Sequence, residues 1–272
     1  MKTIEVFNTS IQLDLFEEEK FISLNRYLTD KKATYFIKSL SFNLFDIPFY
    51  EPTLKTEFFD LYEMENKTIQ VQKSEGHIVG GVIYDKENIY IYPRIVSFEM
   101  EYLLSQYAFS YIILKKGGLI FHASSFIYND KGILISAKSG TGKSTHTALW
   151  ERYENISIVN DDKNILCIKD NKLYMYSSPW SGKHMKDNNL SHEVNAIVFL
   201  YQNKENVCEE VNKGFAFRKI VGQLQKPTVA NQNTWEDILN HLLELKAYSL
   251  GATKEKEAYL CLKERLDLDL CQ

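Results

Sequence analysis

The sequence predicts an α/β protein, in which a β-rich N-terminal region precedes a second half of alternating strands and helices. Three observations predict it. Apolar and polar residues alternate through the first hundred residues, the period lengthens to three and four from Val96, and a glycine-rich loop at 139–144 lies between an apolar strand and a helical segment.

The alternation is clearest at 4–6, 35–40 and 89–93, with turn residues between these runs. Val96, Met100, Leu103, Leu104, Tyr107, Ala108, Tyr111 and Ile112 then recur on one helical face, predicting a single amphipathic helix that ends at Lys116-Gly117-Gly118. The domain boundary is placed there, giving a β-rich region over 1–117 and a second domain over 118–272. Apolar runs at 119–128 and 132–136, separated by Asn129-Asp130-Lys131-Gly132, predict a hairpin. A helix over 142–152 follows the glycine loop, then strands at 156–160, 165–168, 173–176 and 193–201. Helices are expected from Gly214 and from Thr234, where Thr234-Trp235-Glu236-Asp237 resembles a capping box. A strand at 247–250 and a helix from about Lys254 to Leu266 close the chain.

Composition excludes several function classes. With 44% hydrophobic and 13% aromatic residues, 12 Gly and 5 Pro, the 272-residue chain has the material for buried cores and none of the bias of a disordered segment. Its net charge of -4 provides no overall positive field for a nucleic-acid backbone, so no nucleic-acid partner is expected. The most apolar window, 102–114, is far shorter than the roughly 20 residues of a membrane helix, and the first 18 residues lack a signal-peptide core, which together predict a cytoplasmic protein with no membrane partner. Cys167, Cys208, Cys261 and Cys271 form no C-x-x-C pair and read as reduced thiols. A homo-oligomer is compatible with all of this.

Ser139-Gly140-Thr141-Gly142-Lys143-Ser144-Thr145 carries the chemistry. Glycines let backbone N–H groups turn inward around phosphate oxygens, and the following helix N-terminus adds donors and a positive dipole end. Lys143 is a point charge for the β- and γ-phosphates of ATP, and the Ser144 hydroxyl is a Mg²⁺ ligand. Ala137 stands where the usual first glycine of such loops would be. Asp161-Asp162, at the end of the next strand, supplies paired carboxylates that can divide the work of metal binding and proton acceptance. His122 lies inside the apolar run before the loop and by itself reads as a core histidine. His146, on the first turn of the loop's helix, reads as packed or exposed rather than catalytic.

Together, His122 in a strand, the loop 139–144 and Asp161-Asp162 after the next strand resemble the catalytic domain of HPr kinase/phosphorylase, whose phosphate loop is similar to that of ATP-dependent phosphoenolpyruvate carboxykinase. The resemblance covers about His122 to Leu266. It implies a mixed-sheet P-loop kinase domain that transfers the γ-phosphate of ATP, with Mg²⁺, to a hydroxyl, and a serine of a small protein or peptide as acceptor. It also implies Asp161 as base, Asp162 as metal ligand, His122 as the group that orients the acid, and Lys183 as a cation for the transferred phosphate, with Arg218 a weaker candidate. Ser178-Pro179-Trp180-Ser181-Gly182-Lys183-His184 is similar to a segment of bacterial members of this group. The arginine-bearing C-terminal signature of true HPr kinases has no counterpart here, which argues against HPr itself as acceptor.

Two other functions stay open at this point. A carboxykinase-like enzyme would need a further metal-ligand set and an oxaloacetate-binding arginine that the chain does not display. A nucleotide-binding regulator without catalysis would use the β-rich region as its partner surface.

Overall fold

The period-two pattern of the first hundred residues becomes an eight-stranded sheet in the computed structural model, which describes residues 1–138, 140–181, 188–225 and 232–270. The chain divides into two units, Met1–Ile112 and Ile113–Gln272. In the first, β1 (Lys2–Val6), β2 (Thr9–Asp14), β3 (Tyr35–Ser39), β4 (Leu54–Lys55), β5 (Phe59–Glu63), β6 (Thr68–Ser74), β7 (His77–Asp85) and β8 (Asn88–Pro93) lie in the order β1-β2-β3-β8-β7-β6-β5-β4. Helix α1 (Phe98–Lys115) follows, and its fully buried Glu101 accepts hydrogen bonds from the Phe16 and Glu17 amides at 3.0 and 2.6 Å and from the Ser39 hydroxyl.

The second unit contains β9 (Gly118–His122), β10 (Ser124–Tyr128), β11 (Lys131–Ser136), α2 (Lys143–Tyr153), β12 (Ser157–Asn160), β13 (Lys163–Lys169), β14 (Lys172–Tyr176), β15 (Ser191–Gln202), β16 (Val207–Glu210), α3 (Lys213–Ile220), α4 (Gln232–Glu244), β17 (Lys246–Ala252) and α5 (Glu257–Leu270). It is a mixed α/β unit. β15 runs parallel to β11 on one side, while on the other its first residues pair antiparallel with β14 and its last pair parallel with β17.

Strand alternation divides this sheet between two cores. Ile133, Ile135, Ala196, Val198 and Leu200 pack with Trp150 of α2 and Tyr259, Leu262 and Leu266 of α5. The intervening Leu134, Ile197 and Phe199 pack with Ala216 and Ile220 of α3 and Ile238, Leu239 and Leu242 of α4. Buried on both faces, β11 and β15 read as continuous apolar runs rather than alternating ones. Trp150 anchors the first core, with ring centroids 5.0 Å from Phe126, 4.9 Å from Tyr128 and 5.7 Å from Tyr259.

Four expectations change. The run at 119–128 is two strands broken at Ala123, so the hairpin is β10 with β11 only. Helix α4 begins at Gln232, which puts Thr234 inside the helix rather than at its cap. Helix α5 begins at Glu257, later than Lys254. Strand β16, whose Cys208-Glu209-Glu210 carries little apolar signal, was not expected at all.

Gly132 sets the approach of β11 to β15. Its amide donates to Asn195 Oδ1 at 2.8 Å, and a Cβ there would lie 2.1 Å from the Glu193 carbonyl oxygen. Gly132→Ala should therefore displace the strand and destabilise the unit by about 1–3 kcal/mol. Urea denaturation reads this directly, and a midpoint equal to wild type would show that the strands have more room than this geometry gives them.

Candidate active site

Strand pairs β9–β13 and β10–β12 are both antiparallel, with Lys163 opposite His122 and Asn160 opposite Ser125, after which the β10–β12 register shifts by one residue. Asp161 and Asp162 occupy the gap between these pairs. The break is stabilised on every side. Asn160, fully buried, accepts on Oδ1 from the Asp162 and Lys163 amides at 2.9 and 2.8 Å and donates through Nδ2 to the Ser178 carbonyl at 2.9 Å. Across the gap, the Ala123 amide donates to the Asp162 carbonyl at 2.9 Å, and Asn164 Nδ2 donates to the Ala123 carbonyl at 2.6 Å. Ser125 bonds to both asparagines. An asparagine side chain that closes its own turn is a local device of this residue type, and here it holds an interrupted ladder in place of the strand bonds.

The glycine loop joins β11 to α2. Gly140 and Gly142 have φ of +77 and +112, which a side chain would strain, and a Cβ at either would meet nothing within 4 Å. Gly142 caps α2 and has no side chain to accept from the first-turn amides of the helix. Ser144 and Thr145 are exposed, whereas Lys143 is buried and its ammonium donates to the Ala137 carbonyl at 3.0 Å.

Lys143 meets the carboxylates through His122. Its Nζ is 2.8 Å from His122 Nε2, and the same Nε2 is 3.2 Å from Asp162 Oδ1. Lys163 Nζ lies 3.6 Å from Asp162 Oδ2. Burial lowers the pKa of Lys143 and Lys163, with Asp162 opposing the shift in both. Burial also holds His122 below the usual histidine range; Asp162 opposes this, and the two lysines reinforce it. A neutral His122 accepts on Nε2 from the Lys143 ammonium, which assigns its proton to Nδ1. One more proton would turn Nε2 into a donor to Asp162 and set two cations side by side.

His122, Lys143 and Asp162 are thus brought together, and Asp161 is adjacent in sequence but only 5% exposed. The carboxylate within reach of His122 Nε2 is that of Asp162, at 3.2 Å. Ser139 and Lys183 lie outside the described residues. Arg218 is exposed on α3. Two contributors were missed. Asn160 could have been found from Asn-Asp-Asp-Lys, a turn-closing pattern; Lys163 carried no signal beyond its position after the acids. Among the described residues no group of three or more His, Cys, Asp and Glu could hold a metal, so a dication here would draw on one carboxylate, a hydroxyl and oxygens of its own ligand.

His146 is a core residue. Its Nε2 accepts from Trp150 Nε1 at 3.2 Å, its Nδ1 is buried with no hydrogen-bond partner among the described residues, and burial lowers its pKa to about 4. The unfolded chain binds a proton at about pH 6.5 that the folded one refuses until about pH 4, so stability is full above the first value and is lost as pH falls through the second. The loss should reach about 3 kcal/mol. His146→Gln, which keeps an acceptor for Trp150, should flatten the pH dependence measured by urea denaturation between pH 7 and pH 4; an unchanged slope would exclude His146 as its source.

No protein-family model matches the chain, and no curated protein matches it. Among solved structures, the Hpr(Ser) kinase/phosphatase from Coxiella burnetii is similar at 15% identity, over 55% of this chain and 92% of that chain, with a TM-score of 0.35.

Proposed function

We propose that the chain is an ATP-dependent phosphotransferase acting on a hydroxyl, with a serine of a small protein or peptide as acceptor. One observation carries the reading. A glycine loop with two left-handed glycines opens a helix whose first residue, Lys143, reaches the same polar cluster as Asp162 at the break between β12 and β13.

The residues fit Mg-ATP, which when bound supplies the transferable phosphoryl group and the dication that offsets its charge. The open space above Gly140 and Gly142 admits phosphate oxygens close to the backbone, and the α2 N-terminus presents its amides to them. Thr141 and Thr145 extend this cradle, and Ser139, outside the described residues, keeps the nucleotide-binding role inferred from sequence. Lys143 exchanges the Ala137 carbonyl and His122 for the β- and γ-phosphates. The exposed Ser144 hydroxyl and the Asp162 carboxylate hold the metal. Asp161 takes the proton of the acceptor hydroxyl, and at 5% exposure it would do so from a hydroxyl inserted into the cleft rather than lying across its mouth. Before nucleotide enters, His122 Nε2 holds the Lys143 ammonium beside Asp162; once Lys143 has moved to the phosphates, that nitrogen can take a proton and orient the carboxylate. Lys183 retains the role inferred from sequence, as a cation for the transferred phosphate.

Incubation with labelled ATP, Mg²⁺ and candidate peptides, read by mass spectrometry for added phosphate, tests the reading. Lys143→Ala should lower transfer by roughly a hundredfold or more. Turnover at the wild-type rate would sink the phosphate-cradle assignment, and nucleotide binding with no transfer to any acceptor would favour a regulator.

The two aspartates should separate by readout. Asp162→Asn should weaken nucleotide binding with Mg²⁺ much more than without it, because an amide is a poor ligand for a hard dication. Asp161→Asn should leave ATP affinity near wild type while single-turnover transfer falls by about a hundredfold to ten-thousandfold. Calorimetry paired with rapid quench decides this, and identical signatures from both variants would refute the division.

A further inference from the structure

We propose that Lys163 is a second phosphate-contacting cation of this site, gripping the terminal phosphate and thereby selecting a nucleoside triphosphate over a diphosphate. The inference rests on the phosphotransferase reading and adds to it a residue that neither the loop motif nor the paired acids specify.

Register places Lys163. It is the direct cross-strand partner of His122 in β9–β13, so the two side chains leave the sheet on one face, and both reach Asp162. They approach it from different sides. His122, which carries Lys143 behind it, meets Oδ1 at 3.2 Å, and Lys163 meets Oδ2 at 3.6 Å. Lys163 thus faces the carboxylate directly, whereas Lys143 approaches it from the glycine loop with His122 between them.

Burial makes the arrangement informative. A lysine at a strand end ordinarily extends its ammonium into water, yet the Lys163 side chain is only 21% exposed. Its charge is balanced in this state by Asp162, with Asp161 also nearby. A dication on Asp162 would weaken that carboxylate's hold on both lysines, and the poorly solvated cleft would then favour another anion beside them. A phosphate chain laid from the α2 N-terminus past Lys143 supplies it, and its outer end is the part that extends beyond Lys143 toward Lys163. An inner diphosphate satisfies the loop and Lys143 alone. The alternative is that Lys163 only neutralises the acids, in which case it would affect both nucleotides equally.

Calorimetric titration of the full chain with Mg-ATP and with Mg-ADP distinguishes these. Lys163→Met should raise the Kd for Mg-ATP by about tenfold or more, the range for a charged hydrogen bond, while the Kd for Mg-ADP moves by less than about threefold. Lys163→Arg should restore much of the ATP preference. Lys163→Gln, which keeps a polar stem end, serves where the methionine variant does not fold by circular dichroism. Equal weakening of both nucleotides, or no change in either, would overturn the proposal while leaving the phosphotransferase reading standing. A wild-type chain that binds neither nucleotide would overturn both.

Discussion

Asn160 is fully buried, and its amide satisfies three backbone groups that the break between β12 and β13 would otherwise leave short of partners: the amides of Asp162 and Lys163 and the carbonyl of Ser178. Buried backbone groups without partners cost about 1–3 kcal/mol each, so a ladder can open inside a sheet only where a side chain replaces the lost bonds. The opening is what gives the second unit a polar cleft. A continuous ladder from residue 157 to 167 would turn Asp161 and Asp162 alternately into two apolar cores. Ser125 on the facing strand β10 and Asn164 on β13 itself, both buried, brace the same gap.

The charges that meet there are mutually dependent because their side chains are largely withdrawn from solvent. Burial disfavours the ionised forms of His122, Lys143 and Lys163, and Asp162 favours them. In such surroundings a charge without a partner is costly, and each cation is held by something: Lys143 by the Ala137 carbonyl and His122, Lys163 by Asp162. A ligand that entered this cleft would do so by exchange of partners. That is the physical basis for expecting anions to bind tightly and for expecting removal of any one member to alter the others.

Much of the architecture was legible in the sequence because it rests on local signals. A helix at α1 was legible in the three- and four-residue spacing of its apolar residues, although it starts at Phe98, leaves Val96 exposed outside it and buries the polar Glu101 and Ser105, and the glycines at 140 and 142 are required by backbone dihedrals that other residues resist. What could not be read depends on partners distant in sequence. The strand at 119–128 looks uninterrupted because Ala123 is apolar and carries no breaking tendency; it breaks because Asp162 and Asn164 claim its backbone groups. Strand β16 is mostly polar and owes its form to pairing with β17. Likewise, the pairing of His122 with Asp162 depends on the register of β9 against β13, which no local pattern encodes.

Two identical neighbours end up in different surroundings for the same reason. Asp161 and Asp162 follow a buried strand and precede another, so consecutive side chains cannot share one environment. Asp162 reaches His122 and Lys163 with its side chain 22% exposed, while Asp161 as a residue is 5% exposed. Carboxylates placed so differently would respond differently to a dication, the more accessible one being the easier to bring into its coordination shell. Chemistry that needs a metal ligand and a separate proton acceptor can be served by one dipeptide when the fold, rather than the residue type, separates the two. In this chain that separation begins with the hydrogen bonds of Asn160.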